Sequence, residues 1–197
     1  MEEFKNIASN GNSHNKQNRI LRAKWMDYRS PSIMMVTIVT TKRLPLLGKL
    51  QGENIILTEL GQKVAEEIKR IPTYNGAESI EIYSYVIMPD HVHILLHIHE
   101  HLPRHLGYYI RWFKKQCTYI GLALAVPSAS DHNPLFAPDY HDRLLKGKNQ
   151  LSHMVRYIQD NPRRLALKHA NKDLFRIRQN QLIGTIPCTV LGNIFLI

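Results

Sequence analysis

The sequence predicts an α+β fold, an antiparallel sheet carrying its helices on one face, and three observations lead there. Short apolar runs with strand character recur at residues 33–41, 79–88 and 91–99. Other stretches repeat their apolar residues every three or four positions, and the first and last of these are closed by Pro72 and Pro162. The resulting order is βαββαβα, with connections suited to an antiparallel sheet.

Residues 1–30 are rich in Asn, Ser, Lys and Arg without an apolar period, which reads as a flexible basic arm ending at Ser30 and Pro31. The run IMMVTIVTT at 33–41 is β-branched and bounded by Pro31 and by Lys42 and Arg43, which marks a central strand. Gly48 and Gly52 punctuate the next stretch. The apolar run 54–57 then leads to Thr58, an N-cap for a helix through Ile71 with Leu60, Val64, Ile68 and Ile71 as its core stripe. SIEIYSYVIM at 79–88 is answered, after Pro89 and Asp90, by HVHILLHIH at 91–99, and the two read as adjacent strands.

A helix over 106–122 turns Ile110, Phe113, Cys117, Ile120 and Gly121 inward and Arg111, Lys114 and Lys115 outward. Residues 125–138 form a proline-containing loop and 140–145 a short strand. A last helix over 148–161 is ended by Pro162, with the basic stretch PRRLALKHA beyond it. Residues 179–197 carry no charge and finish on GNIFLI, an apolar extension that reads as the start of a truncated segment. The expected division is therefore an arm at 1–30, one domain at 31–178 and the extension at 179–197.

Composition narrows the function. A chain of 197 residues, 44% hydrophobic and 21% charged, is ordinary globular material with room for one core. Its 26 Lys and Arg against 16 Asp and Glu give a formal charge of +10, which favours polyanionic partners, nucleic acid first. Cys117 and Cys188 stand far apart and make neither a disulfide framework nor a cysteine metal site. No signal peptide and no membrane-length apolar run is present, so the expectation is a cytoplasmic protein with no membrane partner.

Residues two apart on a strand share a side, so His91 and His93 present two imidazoles together while Val92, Ile94, Leu96 and Ile98 face a core. Such a pair is half of a divalent-metal site. His97 and His99 continue the same face, so a four-histidine stripe that binds zinc, or simply solvated polar residues, remain alternatives at this point. On the last helix Leu151, Met154, Val155 and Ile158 make the apolar stripe, and Tyr157 and Asn161 lie one turn apart on its flank. A flanking Tyr can serve as a nucleophile or as amphipathic packing, and Asn161 before Pro162 can simply terminate a helix.

YVIMPDHVHILLHI at 85–98 resembles the histidine-hydrophobic-histidine signature of the HUH transposases, and RYIQDNPRRLAL at 156–167 resembles the tyrosine helix of REP-associated tyrosine transposases. Weaker similarity, in MVTIVTTKRLPLLG, IRWFKKQCTYI and YHDRLLKGKNQL, fills the interval, so the resemblance spans roughly residues 25–195. It implies a ferredoxin-like antiparallel sheet of the HUH endonuclease type, with the histidines on a central strand. It also implies a divalent metal, Mg or Mn, and cleavage and strand transfer of single-stranded or hairpin DNA through a covalent 5'-phosphotyrosine, the chemistry of DNA transposition.

By the same resemblance Tyr157 is the nucleophile, His91 and His93 are metal ligands, and Asn161 takes the third ligand's place, where related transposases carry Gln. The chemistry is coherent. A phenol, with an ordinary pKa of about 10, needs a Lewis acid on the phosphate it attacks. DNA contacts are expected from Arg111, Lys114, Lys115, Arg143, Lys146, Lys148, Arg163, Arg164 and Lys168, with Tyr108, Tyr109 and Trp112 placed to stack on bases. The protein acts as a monomer or homodimer in this reading. The alternative function is a non-catalytic regulator that binds repeat hairpins on the same scaffold.

Overall fold

The computed structural model describes residues 26–126 and 134–171. Its elements run β1 (Ser32–Val39), β2 (Gly48–Gln51), β3 (Asn54–Leu57), α1 (Glu59–Arg70), β4 (Ile80–Met88), β5 (His91–Ile98), α2 (Leu106–Ala123), β6 (His141–Leu145) and α3 (Lys148–Ala170). Most of the proposed arm, residues 1–25, and the apolar extension at 179–197 lie outside the described residues.

Four strands make one antiparallel sheet in the order β4-β5-β1-β6, while β2 and β3 pair as a separate hairpin. With that hairpin set aside, the order β1-α1-β4-β5-α2-β6 is the ferredoxin-like double βαβ, and β5 with its histidines is a central strand, as expected. The β4–β5 turn at Pro89 and Asp90 is clamped from outside. Pro89 O accepts from Leu47 N at 3.0 Å, and Asp90 O accepts from Thr40 N at 2.8 Å and Thr40 Oγ1 at 3.0 Å. These bonds fix the start of β5, where His91 stands.

Thr58 caps α1 as its sequence position predicts, its Oγ1 accepting from Gly61 N at 3.1 Å and donating to Leu46 O at 2.8 Å. Glycine is a poor helix former, but at Gly61 a Cβ would stand 1.9 Å from Leu47 O. The residue therefore lets the first turn of α1 press against the chain leading into β2.

Alternation along the strands builds two apolar layers. Met34, Val36 and Ile38 of β1 and Val92, Ile94, Leu96 and Ile98 of β5 face Leu60, Val64 and Ile68 of α1 and Leu106, Tyr109, Ile110, Phe113 and Cys117 of α2. Met35 and Leu95 face the other way and meet Met154 and Ile158 of α3, with Val86, Leu151, Val155 and Tyr157 packed beside them. The main helical layer thus covers one face, as predicted, and α3 lies against the opposite one. This second, smaller layer positions the site.

Two boundaries differ from the sequence reading. Helix α3 does not stop at Pro162 but runs through it to Ala170. A proline inside a helix removes one backbone donor and crowds the carbonyl four residues back. Here Asn161 Nδ2 donates to Tyr157 O at 2.9 Å, which adds a side-chain donor at the turn the proline disturbs. The fold also begins before Pro31: Tyr28 OH donates to Asp142 Oδ2 at 2.7 Å, and the carbonyls of Tyr28 and Arg29 accept from Leu106 N and Leu102 N. These long-range partners cannot be read from a polar local sequence. No described helix is long and apolar enough to cross a membrane.

Candidate active site

His91 and His93 share the α3-facing side of β5, their ring centroids 4.8 Å apart in an edge-to-face arrangement. His93 is 4% exposed, whereas His91 lies partly open near the β4–β5 turn. Each ring has one nitrogen occupied. His91 Nδ1 lies 2.6 Å from Asp90 Oδ1, and His93 Nδ1 lies 2.7 Å from Thr37 Oγ1, the residue opposite it on β1. With both Nδ1 atoms protonated and donating, both Nε2 lone pairs remain for a metal, the arrangement common to metal-binding histidines whose outer partners set the tautomer.

The electrostatics agree. Burial, helped by the neighbouring His91 and opposed by Asp90, holds the His93 imidazole down to about 3, so the ring is neutral and able to ligate. Asp90 is held below the usual carboxylate range by its hydrogen bond from His91, and further by Arg43, whose Nη1 is 3.2 Å from Asp90 Oδ2. Lys42 and Arg43 adopt left-handed backbone at φ 56 and 53, unusual for residues with side chains, in the turn that carries the Arg43 side chain to Asp90.

Helix α3 brings Tyr157 to this pair within one chain. The phenol ring and the His93 imidazole meet in an edge-to-face arrangement with centroids 5.6 Å apart, and the Arg164 guanidinium stands 4.9 Å from the Tyr157 ring centroid on its face. Because α3 continues past Pro162, Tyr157, Asn161, Arg164 and Lys168 fall on one stripe of a single rod, at offsets of four, seven and eleven residues. Asn161 is buried at 8% exposure. Its nitrogen is engaged with Tyr157 O, so its oxygen is the atom suited to a cation.

The residues expected to hold DNA divide between the two sides of the sheet. Arg143, Lys146, Arg163, Arg164 and Lys168 belong to β6, the β6–α3 connection and α3, with Lys148 at the start of that helix. Arg163 is shared with Glu53 at 3.8 Å and Asp160 at 3.7 Å. Arg111 and Lys115 are on α2, across the sheet from Tyr157. Lys114 is committed elsewhere: its Nζ donates to the carbonyls of Ala137, Pro138 and Asp139 at 2.8, 2.8 and 3.0 Å, anchoring the loop before β6. Tyr108 and Trp112 are exposed, but Tyr109 is fully buried with its hydroxyl donating to Gly76 O, so it is not a stacking surface.

The four-histidine stripe is not continuous. Leu95 lies between the pairs and is buried under α3, which separates His91 and His93 from His97 and His99. The latter two gather with Glu81, all three ligand atoms lying within 4.8 Å of one another, so this cluster too has a metal-binding donor set. Thr37 and Asp90 escaped the sequence reading. Asp90 was detectable from its place directly before His91, whereas Thr37 is disclosed only by the β1–β5 register.

No family model matches the chain. It is 24% identical over 164 residues to an uncharacterized protein of Haemophilus influenzae, a span of 73% of this chain and 87% of that protein. Among solved structures it resembles a REP-associated tyrosine transposase bound to a REP hairpin, with TM-score 0.52 and 20% identity over 72% of this chain and 73% of that one. A Deinococcus radiodurans structure assigned as a transposase aligns with TM-score 0.45 and 19% identity over 70% of this chain and 96% of that one, too low a score to carry weight. The fold of the REP-associated tyrosine transposase is thereby shared.

Proposed function

We propose that this chain, which has the fold of a REP-associated tyrosine transposase, is a DNA endonuclease and strand-transferase that acts in transposition on single-stranded or hairpin DNA. The observation that carries the reading is the approach of Tyr157 to His93, 5.6 Å between ring centroids, beside two imidazoles whose Nδ1 atoms are both engaged. His91, His93 and Asn161 would hold Mg or Mn, and the donor set fits: two Nε2 lone pairs and an amide oxygen. When bound, the ion supplies Lewis-acid neutralisation of the scissile phosphate's charge.

In this mechanism Tyr157 Oη attacks the phosphorus of a phosphodiester. The Oη–P bond forms as the P–O3' bond breaks, the phenol proton is lost, and the departing 3'-oxygen takes up a proton. The product is a 5'-phosphotyrosine and a free 3'-hydroxyl. Attack by a 3'-hydroxyl on the phosphotyrosine restores the phosphodiester and the phenol, so strands join without ATP. Thr37 and Asp90 hold the imidazoles in the ligating tautomer, and the basic side chains of β6 and α3 hold the backbone near Tyr157. Those of α2, on the other side of the sheet, would serve a separate stretch of the DNA.

Full-length protein incubated with a panel of labelled hairpin oligonucleotides and Mn or Mg should give a covalent adduct that survives denaturing electrophoresis. Tight binding with no adduct under either metal would instead support the non-catalytic regulator.

Two further substitutions should have smaller effects. Thr37→Val keeps the shape of the side chain and removes the oxygen facing His93 Nδ1; loss of such an outer partner typically weakens metal binding about 10–100-fold. Calorimetric titration with Mn should show that weakening, and excess Mn should restore cleavage. Arg164→Ala removes the cation over the Tyr157 ring, which would stabilise a forming phenolate and pair with the phosphate. Single-turnover adduct formation should slow about 10–100-fold, by analogy with removal of one electrostatic donor. Arg164→Lys, which lacks the planar fork, should recover only part.

A further inference from the structure

His97 and His99 have no part in the reaction above, yet the backbone brings them together with Glu81. The two histidines are two positions apart along the β5 line and so share a face, and Glu81 is the direct cross-strand partner of His97 on edge strand β4. The ladder continues past the end of β5, with His99 N donating to Ser79 O at 2.9 Å. The imidazole centroids are 3.9 Å apart, and Glu81 Oε2 lies 2.8 Å from His99 Nε2 and 4.0 Å from His97 Nδ1.

We propose that Glu81, His97 and His99 form a second divalent-metal site, of the zinc, cobalt or nickel class, which clips edge strand β4 to β5. It is separate from the candidate active site: the four-residue step from His93 to His97 spans about 13 Å at strand rise, and Leu95 is packed under α3 between them.

The geometry needs only side-chain adjustment. Tetrahedral zinc, with bonds of about 2.0–2.2 Å to nitrogen and oxygen, sets neighbouring ligand atoms about 3.3–3.5 Å apart. The 2.8 Å contact must open and the 4.0 Å contact must close, each by less than about 1 Å, and the two imidazole ligand atoms, within 4.8 Å of each other, must approach by up to about 1.5 Å. The side chains of Glu81 and His99 are 52% and 48% exposed, so rotamer changes meet little packing. Two imidazoles and a carboxylate suit the later first-row divalent ions, whereas Mg prefers an all-oxygen shell. One charge on Glu81 offsets part of the ion's, and the fourth position is left to water. This site does not depend on the DNA reading.

The test is a titration of the full chain carrying His91→Ala and His93→Ala with Co, followed by visible absorption and calorimetry, with Zn as competitor. One equivalent should bind with the spectrum of low-coordinate cobalt and be displaced by zinc. Adding His97→Ala, His99→Ala or the isosteric Glu81→Gln should each weaken binding by at least about tenfold, since outer-shell changes alone cost that much. In the otherwise unaltered chain, His97→Ala should lower the zinc bound by one equivalent, which keeps the test valid if the double variant folds poorly. No cobalt binding, or binding indifferent to these substitutions, would show that Glu81 and His99 form only a surface ion pair and would overturn the proposal.

Discussion

Tyr157→Phe should abolish the covalent protein–DNA adduct, lowering its rate of formation by at least about a thousandfold, because loss of a nucleophile has no substitute in a phosphotyrosine mechanism. The change removes one oxygen and keeps the ring, which packs against His93 and carries Arg164 over its face. Folding and oligonucleotide affinity should therefore stay near those of the unaltered chain, which separates a chemical loss from a structural one. Labelled oligonucleotide, Mn and denaturing electrophoresis give the rate, and a native gel gives the affinity. An adduct of undiminished rate in the Phe variant would show that another residue attacks.

His91→Ala and His93→Ala should each reduce metal-dependent cleavage by at least about a hundredfold, more than is expected for an outer partner such as Thr37. The two variants should differ in stability. His93 is 4% exposed and fills space under α3, so its truncation leaves a cavity and costs folding free energy as well as a proposed ligand. His91, at 20% side-chain exposure, is the cleaner probe. Circular dichroism and thermal melts check that both remain folded, and cleavage is followed against Mn concentration. Excess Mn should rescue Thr37→Val but not the histidine variants. Wild-type cleavage in His91→Ala at limiting Mn would remove that residue from the metal site.

The sequence carried much of this arrangement because its signals are local. Alternation along 91–99 assigned His91 and His93 to one side of a strand, and the Thr58 cap and the stripe Leu60, Val64 and Ile68 marked α1 to within a residue or so. The paired motifs singled out Tyr157 without any knowledge of its neighbours in space. Pro162 misled, because the usual helix-breaking effect of proline is a tendency that a packed helix can override. Residues 26–30 read as arm in the sequence because their anchors, Asp142, Leu102 and Leu106, lie far along the chain.

What the sequence by itself determined is which residues share a face: His91 with His93, Tyr157 with Asn161, and the inward stripes of the helices. Those relations depend only on the period of a strand or a helix. What the tertiary structure alone decided is which faces meet. That α3 covers the side of the sheet opposite α1 and α2, that Thr37 stands beneath His93, that Lys114 anchors a loop, and that Leu95 parts one histidine pair from the other all result from strand register and long-range packing. Such contacts join residues tens of positions apart, and no local period encodes them.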